Sequence, residues 1–156
     1  MDKLEFKIDK KVISGREISA VSIFINGKNL IELIKNHELP FATKEGHPEI
    51  AGGYSGMYTE DFLHWYFSDW PGDDQHVILE CAGCGEVGCW PLLVSVTENK
   101  NSIIWSNFEQ PHRGKDSKAS FWDYSAFPTY TFSKKNYQSE IRRLEKLNKS
   151  EKNNIS

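Results

Sequence analysis

Between His76 and Arg113, three short apolar runs alternate with turn-forming residues, and this spacing constrains the chain most. The runs are Val77-Ile78-Leu79, Leu92-Leu93-Val94 with Val96, and Ile103-Ile104-Trp105. Each is short enough for a strand and too short for a buried helix. A loop holding Cys81, Cys84 and Cys89 separates the first two, and the polar stretch Glu98-Asn99-Lys100-Asn101 separates the last two. The pattern predicts strand, tight loop, strand, hairpin turn, strand.

The remainder of the chain supplies both strands and helices. Leu4, Phe6 and Ile8 alternate with charged residues, and residues 18–25 are β-branched and apolar, so 3–8 and 18–25 are expected to pair across a turn at Ser14-Gly15-Arg16. Asn26-Gly27 ends the second strand. Leu30, Ile31, Leu33, Ile34 and His37 recur at helical spacing, with Asn29 as cap. Glu38-Leu39-Pro40 is expected to end that helix, because proline disfavours a helical residue before it. A long irregular connection follows, rich in glycine, and Thr59-Glu60-Asp61 then starts a short aromatic helix through Phe67. Residues 129–132 predict a last strand. Ser133 would cap a final helix whose Tyr137, Ile141, Leu144 and Leu147 face the sheet. The expected fold is a single α+β domain over 1–149, with a mainly antiparallel sheet of about five or six strands, flanking helices and a frayed tail over 150–156.

Composition bounds the function. A chain of 156 residues with 13% aromatics can bury a core as one domain. The N-terminal MDKLEFKIDKK has no apolar signal region, and no run approaches the ~18 residues of a membrane span, so a cytoplasmic protein is expected. A net charge of −3 argues against broad nucleic-acid binding. That net value conceals an asymmetry. From Glu45 to Asn99 there is no Lys or Arg but ten acids, whereas cations crowd the chain ends. An acidic face attracting a basic protein is one consequence; scattered solvating charges, or acids neutralised in space by the ends, are the other. The residues assigned to such a face are Glu60, Asp61, Asp69, Trp70, Asp73, Asp74 and Glu86. Oligomeric state is left open by the sequence.

Other chemistry centres on the cysteines. Cys81-x-x-Cys84-Gly85 has the local shape of a zinc knuckle, with Cys89 as third ligand and His112 or His76 as fourth. A paired second Cys-x-x-Cys is absent, and buried, unreactive thiols at a crowded turn are the competing reading. A thiol-dependent enzyme is a further alternative. Against it, Gly85-Glu86-Val87-Gly88 does not start a helix, and Glu80 and Glu86 would raise a thiol pKa. Glu109 and His112 form a candidate acid–base pair without defined geometry. No catalytic residue is assigned, and zinc is the sole cofactor considered. Gly52-Gly53-Tyr54-Ser55-Gly56 lacks the ending of a phosphate-binding loop and reads as backbone needing positive φ. Gln110, His112 and Arg113 read as a loop tied to the sheet, with Arg113 pairing Glu80 or Glu86.

The motif Cys-Gly-x-x-Gly-Cys-Trp-Pro-Leu, here Cys84 to Leu92, is followed by Trp105, Phe108, Glu109, Gln110, Pro111, His112 and Arg113. With IAGGYSGM, WDYSAF and FPTYTFSKKNYQSEI, it resembles a family of small uncharacterised bacterial proteins over most of residues 20–141. The resemblance implies no activity. Members carry Cys-x-Cys-Gly where this chain has Cys81-Ala82-Gly83-Cys84-Gly85, a departure in the spacing a metal loop would need. In general character, small, acidic and aromatic-rich, the chain is also similar to toxin-immunity proteins, including partners of contact-dependent inhibition toxins. That analogy, joined to the charge pattern, makes the leading expectation a non-enzymatic immunity protein that masks a basic toxin such as a nuclease.

Overall fold

The computed structural model describes residues 1–67, 75–82 and 89–154. The chain opens with a long hairpin, β1 (Leu4–Ile13) and β2 (Arg16–Ile25), antiparallel from Leu4↔Ile25 to Ile13↔Arg16. Its two turn residues, Ser14 and Gly15, have φ values of 53° and 76°, the conformation that matches the twist of the flanking strands. Asn26 and Gly27 repeat the device at φ 54° and 82° and return the chain into β3 (Lys28–Asn29), which completes a three-stranded sheet.

α1 (Leu30–Lys44) begins where the sequence indicates, with the Asn29 side chain accepting the Ile31 N–H at 2.8 Å. It does not stop at Pro40, as proline chemistry alone predicts. The helix runs on to Lys44, past the one hydrogen bond proline cannot donate. Packing outweighs that loss: Leu30, Ile34, Glu38 and Ala42 form one buried stripe that continues beyond the proline.

A five-stranded antiparallel meander follows, ordered β4 (Tyr54–Gly56), β5 (Gln75–Cys81), β6 (Leu92–Glu98), β7 (Ser102–Glu109), β8 (Tyr130–Ser133). The Glu98–Asn101 turn lies where the sequence puts it, closed by Asn99 N–H to Ser102 C=O at 2.8 Å. The strands thus divide into two sheets rather than one, joined by bridges at Asp2↔Phe132 and Ala20↔Tyr58. At Gly56 a side chain is impossible: a Cβ would stand 2.0 Å from the Val21 carbonyl oxygen, so glycine is what lets β4 pass β2.

Two helices close the core. α2 (Thr59–Phe67) buries Phe62 and Leu63. α3 (Lys134–Asn154) starts with the Ser133 hydroxyl accepting the Asn136 N–H at 3.0 Å and extends five residues beyond the expected limit at 149. Its Tyr137 packs on Phe6, Phe132 and Trp105, and Ile141 and Leu144 are buried in the same core, whereas Leu147, expected on that face, is exposed near the end of the helix; Phe6–Phe62 and Trp105–Phe132 are in edge-to-face contact at 5.2 and 5.1 Å. The result is a single α+β arrangement with one large core and a smaller cluster of Ala42, Ala51 and Trp122 at the C-terminal half of α1. Among the described residues no helix is long and apolar enough to cross a membrane.

Candidate functional site

The smaller cluster marks the place where polar side chains converge. Glu38 sits on the apolar stripe of α1 and is 0% exposed. A carboxylate there must be supplied with donors. One oxygen, Oε1, accepts the Gly52 N–H at 2.9 Å; the other, Oε2, accepts the Tyr54 hydroxyl at 2.6 Å and also the Tyr124 hydroxyl. Tyr54 Oη in turn accepts from Gln110 Nε2 at 3.1 Å. Gln110 is itself fully engaged, donating to the Pro91 carbonyl at 3.0 Å and accepting the His112 N–H at 3.1 Å. Burial pushes the Glu38 carboxyl above its ordinary value, and its three donors offset only part of that rise. Burial, then the Glu38 carboxylate, raise the Tyr54 phenol; burial, then Tyr54 and Glu38, raise Tyr124. Both phenols therefore keep their protons at neutral pH and act as donors.

Gly52 is necessary here for two reasons. Its φ is +66°, and an added Cβ would lie 2.5 Å from Lys35 Cβ. The glycine-rich loop thus serves α1 by aiming a backbone N–H at Glu38.

Two turns further along, at the C-cap of α1, Glu45 organises a second cluster. It accepts Arg113 Nε at 2.9 Å and Nη2 at 3.4 Å, and Trp122 Nε1 at 2.6 Å. The Arg113 guanidinium lies over two indoles, 5.1 Å from the Trp90 ring centre and 5.6 Å from Trp122. Trp90 also stacks on His112, at 5.7 Å and 7°. His37 Nε2 donates to the Asp123 carbonyl at 2.8 Å, so two α1 residues and the C-cap Glu45 hold the segment 122–124.

Two clefts flank this framework. One, about 390 Å³, is lined by Ile50, Cys81, Ala82, Cys89, Trp90 and Arg113, with Glu49 and Gly53 at its edge. The other, about 500 Å³, lies between α1 and Phe121.

The sequence-assigned residues distribute as follows. Glu60 and Asp61 are exposed on the first turn of α2. Asp69, Trp70, Asp73, Asp74, Glu86 and Cys84 lie outside the described residues. Cys81 and Cys89 share the 390 Å³ cleft, whereas His112 borders a different cavity with Glu109. Among the described residues no three His, Cys, Asp or Glu side chains gather as a metal site. Glu109 accepts Gln75 Nε2 at 2.8 Å. The Arg113 partner is corrected: it is Glu45, not Glu80, because α1 and not the sheet faces the loop after β7.

Glu38, Glu45, Tyr54, Trp122 and Tyr124 were not assigned a role from sequence. One signal pointed to Glu38. It continues the Leu30, Ile34 spacing by four residues, and Ala42 continues it again, so a carboxylate occupies an otherwise apolar stripe. No known protein family, curated protein or solved structure matches the chain.

Proposed function

We propose that this protein is a non-enzymatic protein-binding protein, and most concretely a cytoplasmic immunity protein that neutralises a basic bacterial toxin such as a contact-dependent inhibition nuclease. The observation that carries a binding role over catalysis is the engagement of Glu38 and Glu45. Internal donors take up both carboxylates, so these groups support a framework and are not presented to a substrate.

The charge pattern supports a basic partner. Of the ten acids between residues 45 and 99, six are described. Glu45 and Glu98 are matched by Arg113 and Lys134, and Glu80 is buried. Glu49, Glu60 and Asp61 remain exposed, with Glu49 3.3 Å from His47. The described part of the recognition surface in this reading is Glu60 and Asp61; Asp69, Trp70, Asp73, Asp74 and Glu86 are assigned to it from the sequence alone. Acids there would steer the encounter and aromatic side chains would anchor it. Production of the protein in cells that make its proposed partner, a basic nuclease toxin, should restore growth. Failure to restore growth, together with no complex between the two purified proteins, would refute the reading.

Zinc binding is the second reading, favoured by the shared cleft of Cys81 and Cys89. The four-ligand set assigned from sequence adds Cys84 and His112, but among the described residues Cys81, Cys89 and His112 do not gather as a metal site, so this reading needs a fourth ligand other than His112. Elemental analysis of protein purified without chelator separates the two. About one zinc per chain supports the second reading; below ~0.1 removes it.

A further inference from the structure

The cleft between α1 and the segment after Ser120 has a composition unlike the rest of the site. Its walls are Pro40, Phe41, Lys44, Ser120, Phe121 and Trp122, and it encloses about 500 Å³. That volume is within the roughly 300–1,000 Å³ typical of small binding sites. Phe121 is 45% exposed, and Leu39, one residue before the groove wall, is 39% exposed. Large apolar side chains left in water at a concave place mark contact surfaces more often than scattered ones do.

The groove is also held open by its own framework. Trp122 is bound to Glu45 through Nε1 at 2.6 Å and to the Arg113 carbonyl through its backbone N–H at 2.9 Å. Tyr124 is bound to Glu38, and the Asp123 carbonyl to His37 at 2.8 Å. Both walls are thus fixed relative to each other before any ligand arrives, which lowers the ordering cost of binding. Continuation of α1 past Pro40 places Phe41 and Lys44 in the wall; a helix ending at the proline would have no such groove.

Among the described residues, Lys44 is the one charged side chain that lines the groove, and no carboxylate lines it. Two accessible aromatic side chains, Phe41 and Phe121, a floor formed by the buried Trp122, and a single cation define the complement. We propose that this groove docks a protein segment bearing an aromatic side chain flanked by carboxylates, with the ring seated between Phe41 and Phe121 and an acid meeting Lys44. A basic segment is disfavoured at Lys44, so this surface is separate from the one centred on Glu60 and Asp61. The inference rests on the groove alone and stands whether or not the toxin reading holds.

The test uses the full ¹⁵N-labelled chain and three terminally blocked pentapeptides. The first has one tryptophan flanked by glutamates, the second replaces the glutamates with lysines, and the third replaces the tryptophan with alanine. The first peptide should shift amides within 41–44 and 120–122 saturably and bind at least about tenfold more tightly than the other two. Phe121→Ala should weaken it by about tenfold or more, and Lys44→Glu should reverse the order of the first two peptides. Both positions are exposed, so neither variant removes core packing. Three outcomes would overturn the proposal: no saturable shift up to ~10 mM, equal binding of the three peptides, or binding unchanged by Phe121→Ala.

Discussion

The Tyr124 hydroxyl donates to the Glu38 carboxylate across 86 residues of chain. With Tyr54 and Gly52 as the other donors, this contact joins α1, the glycine-rich loop and the segment before β8 at one buried charge. The whole candidate site is mounted on that junction.

Glu38 makes stability depend on pH in a definite direction. Its carboxyl titrates higher in the folded protein than its ordinary 4.5, so the fold binds that proton more tightly than the unfolded chain does. The contribution is complete below 4.5 and is lost as pH rises through the higher folded value. Urea unfolding of the native chain and of Glu38→Gln across this window should give different slopes. The native chain should lose stability relative to the variant by at most about 1.4 kcal/mol per pH unit. Parallel profiles would show that Glu38 is not the titrating group.

Removal of the carboxylate altogether tests the junction itself. Glu38→Ala leaves two buried hydroxyls and the Gly52 N–H without their acceptor, at a cost of about 1–3 kcal/mol for each group that water cannot reach. A loss of at least ~3 kcal/mol in urea unfolding is expected. A loss below ~1 kcal/mol would mean that the donors find other partners.

Gly52→Ala introduces both a strained φ of +66° and a Cβ 2.5 Å from Lys35 Cβ. The expected destabilisation is about 2 kcal/mol or more, read as a lower thermal midpoint. A neutral substitution would contradict the placement of the loop against α1.

Arg113→Lys retains the charge but not the two-pronged contact with Glu45 or the guanidinium's place over the Trp90 and Trp122 rings. It should cost about 1–3 kcal/mol and red-shift the tryptophan fluorescence as the indoles gain solvent. An unchanged spectrum and midpoint would show that these contacts do not hold the loop.

Local chemistry made much of the fold legible. Ser14-Gly15 and Asn26-Gly27 identify turns because few other residues accept φ values near +55° to +80°. The alternation in β1, the three apolar runs of the meander and the spacing of α3 follow from periodicity, since one face of each element meets the core. The end of α1 was not legible, because what carries it past Pro40 is the burial of Glu38 and Ala42 against distant segments. The site was hidden for the same reason. Glu45 and Arg113 are 68 residues apart, and Glu45 and Trp122 are 77 apart. Nothing local in the chain distinguishes Glu45 as the partner from Glu80 or Glu86.

The proposed recognition of a basic protein through exposed acids is open to a direct kinetic measurement, the association of the chain with a purified cationic nuclease-toxin domain. Stopped-flow rates should fall steeply as salt rises, and the Glu60→Lys/Asp61→Lys double variant should associate about tenfold or more slowly with a flatter salt dependence. Equal rates and equal salt dependence for the native and double-variant proteins would contradict the claim.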